Sequence, residues 1–439
     1  MLNGGVLDIN RGEKGDSIGI DISYEGVQKR FAVAVGKGAC ILDKDTRTFL
    51  SSTDLSTTVG NEIYRKYIND PVTTRIPKDN IVFDPTSTAH ENGGFNTFNG
   101  LKIKPVKGEC SKLLELLLLM CEQNNIVFEW VLRWFAYPLK NPGAKMRTAI
   151  VIHGGEGVGK NLILSAIEGI YGEYSSIITQ NDLKSDFNGW ASRKLFVIGN
   201  EVSTRRGMYE QSGPMKNMIT EPEWNINEKN INVRKEKNYA NFVFTSNHLQ
   251  PVAPDHDDRR YQVLWTPPKK DKDFYDSVAR ERDNGGIAAL YYYLMSLDIG
   301  SFNEFTEPVM TRAKNDLIQL SMKSDERFIS CWLAGELTVQ VKPCLTDDLY
   351  KYYQQWCKRE GEKFHVSLTE FGTRIGKCDC QLIKLKNQRY RVGMREYKGT
   401  FVFHLDSEQP DGMSKVDWLT RCRKEFQDAV KDWVEVFGA

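Results

Sequence analysis

A short apolar strand that runs directly into a glycine-rich loop constrains the fold of this chain most. Residues 149–153 (AIVIH) read as the strand, residues 154–161 are GGEGVGKN, and residues 162–167 (LILSAI) have the pattern of a helix. Glycines let the backbone N–H groups of such a loop converge on a phosphate without interference from Cβ atoms. The N-terminus of the following helix adds partial positive charge. The order strand, glycine loop, Gly-Lys and helix therefore predicts a loop that binds nucleotide phosphates.

Each position of this loop has an expected role. Lys160 is expected to reach the β- and γ-phosphates of ATP, and Asn161 stands where such loops usually carry the hydroxyl that binds Mg²⁺. An amide oxygen is also a hard neutral ligand, so Asn161 is expected to take over that contact. On spacing alone a plain glycine turn would explain the segment, but the apolar strand and the four glycines in six positions favour the nucleotide. The residues expected to bind the nucleotide are Gly154, Gly155, Glu156, Gly157, Val158, Gly159, Lys160 and Asn161.

A second apolar strand ends in an acidic residue about 40 residues downstream. Residues 194–199 (KLFVIG) precede Asn200 and Glu201. Glu201 is the expected general base that orients the attacking water, and Asn200 and Glu201 are expected to hold Mg²⁺ together with Asn161. Asn200 stands where an aspartate is common, so this metal site carries one negative charge fewer. The alternative is that Glu201 is only a solvated charge at a strand end.

Two later segments supply the remaining polar residues. Residues 241–246 (NFVFTS) form a third apolar strand, and Asn247 after it is expected to contact the γ-phosphate or orient the water. Arg259 and Arg260 follow two aspartates and precede another strand. In a ring-shaped ATPase one of them would enter the neighbouring subunit's site and stabilise the transferring phosphoryl group. The alternative is a surface cluster of salt bridges, and the sequence does not distinguish between the two arginines.

The order of these motifs resembles that of superfamily 3 helicases. The resemblance covers roughly residues 80–330 and is closest to the helicase domain of phage and mobile-element primase-helicases and primase-polymerases. It implies an AAA-like core, a homo-hexameric ring with ATP bound between subunits, and translocation on single-stranded or forked DNA. The segments that carry it are residues 154–161, 194–201, 216–220, 225–229, 242–247 and 258–260.

In that family a basic hairpin between the acidic strand and the third strand projects into the ring channel. The matching stretch here is residues 227–237 (NEKNINVRKEK), in which the resemblance implies DNA contacts for Lys229, Arg234, Lys235 and Lys237. Such contacts to phosphates are salt-dependent and tolerate any base sequence. A solvated charged hairpin is the alternative.

Fused members of the family carry a primase-polymerase domain upstream, whose metals need paired acids on adjacent strands. The candidates for such acids are Asp21 and the pair Asp43 and Asp45, but Lys44 lies between the last two and their setting resembles a turn. We predict no primase site in this chain. It is then either the helicase portion of a larger protein or the partner of a separate primase-polymerase.

The C-terminal part has the pattern of a winged helix. Residues 346–361 and 368–377 are predicted helices, and residues 382–386, 390–393 and 400–403 are predicted wing strands. Winged helices bind DNA or other proteins, and the sequence leaves this open. The basic residues of the area are Arg374, Lys377, Lys384, Lys386, Arg389 and Arg391.

Composition agrees with a multidomain globular protein. The 439 residues are 40% hydrophobic and 27% charged, with a formal net charge of +1, so a surface that binds nucleic acid must be local. Nine cysteines without CxxC pairs fit reduced thiols, and no signal peptide or membrane span is predicted, so a soluble protein in the cytoplasm of the host cell is expected. The predicted domains are an N-terminal α+β region (1–107), a helical lead-in (108–145), a P-loop ATPase core (146–268), a helical extension (269–335), a winged-helix-like domain (336–406) and a C-terminal helix (407–439).

The sequence thus predicts an α/β protein with an AAA-like P-loop ATPase core that uses ATP and Mg²⁺. The leading hypothesis is a replicative DNA helicase. One alternative is an ATP-dependent replication initiator that assembles on DNA without processive unwinding. Another is a nucleotide-gated DNA-binding scaffold, because Asn161 and Asn200 both weaken the expected metal site.

Overall fold

Helices and strands alternate along the chain, as predicted for an α/β protein. The structure is a computed structural model that describes residues 6–7, 20–36, 38–86, 95–202, 212–229, 233–255, 257–362, 365–378 and 381–437. It divides into two compact units, Met1–Ala253 with Asp257–Asn315, and Pro254–His256 with Asp316–Ala439. Within the described residues no helix is both long enough and apolar enough to cross a membrane.

The N-terminal region contains a four-stranded sheet in the order β5-β4-β3-β6 and three short helices. The sequence of this region predicts one helix, at residues 62–69, and otherwise short strands and turns. Helix α3 confirms that helix, whereas α1 and α2 lie where only strands and turns are expected. Both begin at serines, Ser23 and Ser51, whose side chains accept a backbone N–H of the first turn. The elements are β1 (Val6–Leu7), β2 (Ile20–Asp21), α1 (Tyr24–Arg30), β3 (Phe31–Val35), β4 (Cys40–Asp43), β5 (Thr48–Leu50), α2 (Ser52–Val59), α3 (Asn61–Asn69), β6 (Arg75–Pro77), β7 (Ile81–Val82) and β8 (Phe95–Asn96).

Asp43 in this region is paired within the fold. Its carboxylate accepts hydrogen bonds from the Arg30 guanidinium at 2.8 to 3.1 Å and from the backbone N–H of Asp45. Burial raises the pKa of Asp43, but the Arg30 hydrogen bonds and the backbone N–H groups outweigh it and hold this pKa below its ordinary value. Asp43 therefore links the end of α1 to β4.

A parallel five-stranded sheet forms the centre of the first unit, in the order β10-β11-β14-β9-β15. Strand β9 is buried at all five positions, as an apolar strand inside a parallel sheet requires. The strands predicted at residues 149–153, 194–199, 241–246 and 262–265 are all present, although the second begins only at Phe196 and the fourth already at Tyr261. The elements of this part are α4 (Ser111–Met120), α5 (Asn125–Lys140), β9 (Ala149–His153), α6 (Lys160–Tyr171), β10 (Ser175–Ile178), α7 (Gln180–Lys184), β11 (Phe196–Gly199), α8 (Ser212–Thr220), β12 (Glu223–Ile226), β13 (Arg234–Lys237), β14 (Asn241–Ser246) and β15 (Tyr261–Trp265).

Helices α4 and α5 pack in the main core of this unit. The sequence predicts that Leu113, Leu117 and Met120 share an apolar face, and their full burial confirms it. It also predicts that Ser111 precedes the helix, but Ser111 is the first helical residue of α4. The free N–H groups of Lys112 and Leu113 instead donate to the Glu281 carboxylate at 3.1 and 2.9 Å.

The helices after β15 are α9 (Lys272–Glu281), α10 (Ile287–Ser296) and α11 (Arg312–Ser321). The sequence predicts a helix at residues 286–297, which α10 confirms. It also predicts that the next helix starts at Pro308, because proline suits a first helical turn, but this predicted start is wrong. The N–H of Val309 donates to Gln262 Oε1 and the hydroxyl of Thr311 donates to Val263 O, both at 2.7 Å. The chain therefore runs along β15, and the helix begins only after Thr311, whose hydroxyl accepts the Lys314 N–H.

The second unit surrounds its own aromatic core, which includes Phe328, Trp332, Tyr352 and Phe371. The wing strands predicted at residues 382–386 and 390–393 are one strand, interrupted by an irregularity between Leu385 and Gln388. The last helix buries Trp418, Leu419, Phe426 and Trp433, as its periodicity predicts. The elements are α12 (Ser324–Leu333), β16 (Cys344–Leu345), α13 (Thr346–Arg359), α14 (Leu368–Cys378), β17 (Leu382–Val392), β18 (Arg395–His404) and α15 (Lys415–Phe437).

Candidate functional site

The glycine loop connects the end of β9 to the start of α6 at the carboxyl edge of the parallel sheet. Gly154, Gly157 and Gly159 have φ angles of 130°, 69° and 87°, which side-chain-bearing residues rarely adopt. A Cβ atom on Gly154 would overlap the Thr266 hydroxyl. Gly155, Glu156 and Gly157 are exposed, whereas Val158 is buried and anchors the loop.

Lys160 is the first residue of α6, and its side chain turns back over the loop. Its ammonium group donates to the carbonyls of Gly154 at 3.0 Å and Gly155 at 2.7 Å, and to Asn247 Oδ1 at 2.6 Å. Burial lowers the pKa of Lys160, while the Glu156 and Glu201 carboxylates act in the opposite direction. The structure thus brings Lys160 together with Asn247 across 87 residues of sequence.

Asn247 follows β14, the neighbour of β9 in the sheet. Besides accepting from Lys160, its side chain donates from Nδ2 to Glu156 Oε1 at 3.3 Å. Asn247 therefore bridges the lysine and the loop carboxylate. The end of one strand, the loop and the end of the next strand form one polar cluster.

Asn200 and Glu201 follow β11, on the other side of β14. Glu201 is exposed and has a left-handed backbone conformation with φ of 54°. The Thr245 hydroxyl donates to Asn200 Oδ1 at 2.9 Å, so the amide oxygen that was expected to hold Mg²⁺ already accepts a protein hydrogen bond. Thr245 had no assigned role. Its position two residues before Asn247 at a strand end is the only sequence signal for it.

Among the described residues, few oxygen ligands lie near the loop. Asn161 is exposed on the first turn of α6, and Glu156 and Glu201 are the carboxylates close enough to act on the pKa of Lys160. Across the described part of the chain, no group of three or more His, Cys, Asp or Glu side chains could hold a metal ion. Any Mg²⁺ at this edge would need oxygens from a bound nucleotide to complete its coordination.

Arg259 and Arg260 lie at the opposite, amino edge of the sheet. The Arg260 carbonyl accepts the N–H of Ala149, the first residue of β9, and that strand runs for five residues before the loop begins. Five strand residues span about 16 Å, so neither arginine shares an edge with Lys160 of its own chain. Arg260 Nη1 lies 3.5 Å from the buried Asp258 carboxylate, whereas the Arg259 side chain is 77% exposed.

The predicted basic hairpin is present as β12 paired with β13, and residues 230–232 at its tip lie outside the described residues. Lys229, Lys235 and Lys237 are exposed. Arg234 points the other way and is held by Glu228 at 2.6 Å and by Glu236 at 2.8 Å. Because successive strand residues face opposite sides, Arg234 is separated from the exposed lysines.

Two further residues touch the glycine loop without having been predicted. A Cβ on Gly159 would lie 3.1 Å from Leu116 of α4 and 3.1 Å from Tyr275 of α9. The Tyr275 hydroxyl also accepts the N–H of Lys270 at 3.1 Å. Helices α4 and α9, which are distant in sequence, therefore pack against the loop at Gly159. No local sequence pattern indicates this contact.

Comparisons with known proteins bear on this region. A family described as "Family of unknown function (DUF5906)" matches residues 152–260, a range that begins just before the glycine loop and ends at Arg260. The DNA primase-polymerase of Nitratiruptor phage NrS-1 is 28% identical over 225 residues, which are 50% of this chain and 31% of that protein. The aligned part therefore spans less than a third of this relative's length.

Solved structures of the NrS-1 C-terminal region have a similar fold. One apo structure superposes with a TM-score of 0.60 at 20% identity, covering 84% of this chain and 87% of the other. A second, the A form, gives a TM-score of 0.59 at 22% identity, covering 83% and 87%. At such identities the likeness concerns the fold. The chain is therefore similar in sequence to part of a phage DNA primase-polymerase and shares the fold of that protein's C-terminal region.

Proposed function

We propose that this chain is the ATP-dependent DNA helicase part of a phage or mobile-element replication system. The observation that carries the proposal is the cluster of Lys160, Asn247 and Glu201 at the carboxyl edge of one parallel sheet. Open α/β sheets bind ligands at that edge. The similarity to a phage DNA primase-polymerase supports the replication context.

The loop residues fit a nucleotide phosphate. Three glycines with positive φ give the loop a backbone conformation that residues with side chains rarely adopt. The free N–H groups at the N-terminus of α6 lie at the end of this loop. Bound ATP with Mg²⁺ would supply the transferable phosphoryl group. Lys160 would then exchange its carbonyl partners for phosphate oxygens, and Glu201 would orient the attacking water. Asn161, with Glu201, would hold the metal from the protein side.

Arg259 is the better choice for an arginine that acts on a neighbouring subunit. Its side chain is 77% exposed, and its guanidinium lies 3.7 Å from a carboxylate oxygen of Glu307. Arg260 instead neutralises Asp258, whose side chain is buried. An arginine at the amino edge of the sheet can serve only a site in another subunit, as in a homo-hexameric ring with ATP between subunits.

The exposed face of the β12–β13 hairpin supplies cations for the DNA backbone. Lys235 and Lys237 share this face, with Lys229 in the connecting segment. Contacts of this kind bind single-stranded or forked DNA regardless of base sequence. Arg234 is not proposed as a DNA contact, because its guanidinium pairs with Glu228 and Glu236 of the hairpin and donates to the Ser192 hydroxyl at 3.0 Å.

Primase-polymerase activity is assigned to another segment or another protein. The alignment covers 31% of the phage relative, so that protein's whole activity does not transfer to this chain. We place a primase-polymerase either upstream in the same protein or as a separate partner in the host cytoplasm.

A second function has one observation in its favour. Asn200 Oδ1 accepts the Thr245 hydroxyl, and Asn161 replaces the usual hydroxyl ligand, so the protein offers the metal few oxygens. Slow hydrolysis would make the chain a nucleotide-gated DNA-binding scaffold or a replication initiator without processive unwinding.

The test is DNA-stimulated ATP hydrolysis, followed by unwinding of a forked duplex. Lys160→Ala is expected to abolish turnover, and Arg259→Ala to lower it about 1,000-fold because the transition-state charge loses its partner. Arg65→Ala, an exposed arginine on α3, is the control and should change nothing. Mixing the Lys160→Ala and Arg259→Ala chains should restore activity at about a quarter of the interfaces in a ring. Turnover that stays at background with DNA would contradict the helicase and favour the scaffold.

A further inference from the structure

The C-terminal hairpin, formed by β17 and β18 (residues 382–404), is strongly basic and takes no part in the site described above. Six of its residues are Lys or Arg and one is acidic, in a chain whose formal net charge is +1. This imbalance therefore belongs to the hairpin and not to the protein as a whole. The basic residues are Lys384, Lys386, Arg389, Arg391, Arg395 and Lys398, and the acid is Glu396.

The outer half of the hairpin extends into solvent. Nine of the ten residues from Arg389 to Lys398 are exposed, and Met394 at the turn is fully exposed. The one half-buried residue is Tyr390, which packs on Phe401 with ring centroids 5.8 Å apart. A large apolar side chain at the tip of a charged ribbon has no role in the protein's own core.

Three of the six basic residues lie on one side of the ribbon, whereas Arg395, opposite Val392, lies on the side of Tyr390. Arg389 lies directly opposite Lys398, and Arg391 lies opposite Glu396. Cross-strand partners share a face, and so do residues two apart on one strand, so Arg389, Arg391 and Lys398 lie together. Tyr390 is on the other face, which packs toward the core of the second unit.

The charges on this face are available to a partner. Arg389 pairs with Glu396 at 3.3 Å and Arg391 with Asp417 at 2.7 Å, but all four side chains are at least 41% exposed, so these pairs stabilise the fold little. Within the described part of the chain, Lys386, Arg395 and Lys398 have no carboxylate within ion-pair distance. Phosphate oxygens can therefore replace or join the existing partners at small cost.

Among the described side chains, the neighbouring helix α14 offers no such available cations. Arg374 is held by the buried Asp325 carboxylate at 3.0 Å and also by Glu370. The Lys384 ammonium donates to the Gly372 carbonyl of this helix. The exposed described side chains of α14 include the acidic Glu370, and the Lys377 side chain lies outside the described residues. Among the described side chains, the free positive charge is therefore on the hairpin.

We infer that the C-terminal hairpin binds duplex DNA, with its basic face on the phosphates and its tip in the groove. A two-stranded ribbon fits the major groove of B-form DNA, which is about 12 Å wide. Val392 and Met394 at the tip would then contact base edges and thymine methyl groups. This contact is separate from the nucleotide site and needs no ATP, so it stands or falls independently of the proposed function.

The test is binding of the full chain to a blunt duplex of about 20 base pairs, measured by fluorescence anisotropy without nucleotide at several salt concentrations. Lys386→Ala/Lys398→Ala is expected to raise Kd about tenfold and to reduce the slope of log Kd against log salt by about 2, since two phosphate contacts are lost. Lys351→Ala/Lys358→Ala removes two exposed lysines of α13 and is the matched control. It should bind as the wild type does.

Two further arms make the result decisive. Met394→Ser, which changes no charge, should weaken duplex binding several-fold and leave the salt slope unchanged. Lys160→Ala should bind duplex DNA normally even though it loses turnover. The inference is overturned if the double lysine variant binds the duplex like the control, or if it loses as much affinity for single-stranded DNA as for the duplex.

Discussion

Glu201 combines a proposed chemical role with an unusual backbone conformation. Its φ of 54° is in the left-handed region, where a Cβ atom approaches the following carbonyl and costs about 1 kcal/mol. It stands directly after β11, and its carboxylate acts to raise the pKa of Lys160, although burial leaves that pKa below its ordinary value. Among the described residues with this conformation it is the one at the proposed nucleotide site. Strain at such a position is typical of functional residues, which are kept for chemistry rather than for stability.

We predict that glycine is more stabilising than alanine at position 201. Both Glu201→Gly and Glu201→Ala should lose ATP turnover by at least about 100-fold, because the proposed base is gone. The glycine variant should nevertheless have a free energy of unfolding about 1 kcal/mol higher than the alanine variant, since only alanine retains a Cβ at positive φ. Urea unfolding of the two variants measures this difference. Equal stabilities, or alanine as the more stable, would contradict the left-handed conformation.

The sequence predicts the identity of the site residues better than their connections. The apolar strands before Lys160, Glu201 and Asn247 are recognisable because buried parallel strands are continuous apolar runs. The hydrogen bond from Thr245 to Asn200 is not recognisable, because it joins residues 45 positions apart whose meeting depends on the register of two strands. That contact occupies the amide oxygen of Asn200 that was expected to hold Mg²⁺.

At the scale of elements, the start of α4 depends on a distant helix. Cys110 precedes it and provides no side-chain cap, and the carboxylate of Glu281, the last residue of α9, accepts the N–H groups of Lys112 and Leu113. A carboxylate at a helix N-terminus also interacts favourably with the helix dipole. Glu281 therefore joins the helical lead-in to the helices that follow the sheet.

We predict that Glu281→Ala lowers the free energy of unfolding by about 1 to 2 kcal/mol, since two backbone donors lose their partner. Glu115→Gln is the matched control, because it removes the charge of an exposed carboxylate on α4 itself. The ion pair of Glu115 with Lys112 is worth less than about 0.5 kcal/mol. Thermal unfolding of both variants measures the difference. A loss no larger than that of the control would show that Glu281 does not cap α4.

Element boundaries were predicted where a side-chain pattern sets them and missed where tertiary contacts do. Helix α15 appears over nearly the predicted range because its aromatic residues recur at helical spacing. Pro308 looked like a helix start, yet the hydrogen bonds of Val309 and Thr311 to β15 keep the segment extended. The placement of Arg234 on the inner face of its hairpin, in contrast, follows from alternation along the strand and was open to prediction.

At the scale of the whole molecule the chain consists of two units with separate cores. The second unit has its own cluster of buried aromatic residues around Phe328, Trp332 and Tyr352. Such a core is the requirement for independent folding. Helix α12 begins directly after Lys323, whose backbone N–H donates to Glu326 Oε2 at 3.4 Å, which makes residue 323 a natural starting point.

We predict that a fragment of residues 323–439 folds on its own. It should unfold in one cooperative thermal transition and give a near-UV circular dichroism signal, because its aromatic side chains pack in fixed orientations. The same fragment with Trp332→Ala is the control and should lose most of its stability, about 3 to 5 kcal/mol. A fragment that lacks the near-UV signal and melts without a transition would show that its core needs the rest of the chain.

The sequence by itself determined the α/β class, the buried strands, the glycine loop and the residues at the strand ends, since these depend on local patterns of apolar residues and on the backbone freedom of glycine. Only the tertiary structure decided which of these residues meet. In the tertiary structure Asn247 accepts a hydrogen bond from Lys160, and Arg260 pairs with Asp258 while Arg259 is exposed. The register of the C-terminal hairpin decides which of its cations share a face. These outcomes depend on strand order and register, which are set by the packing of the whole core and not by any short stretch of sequence.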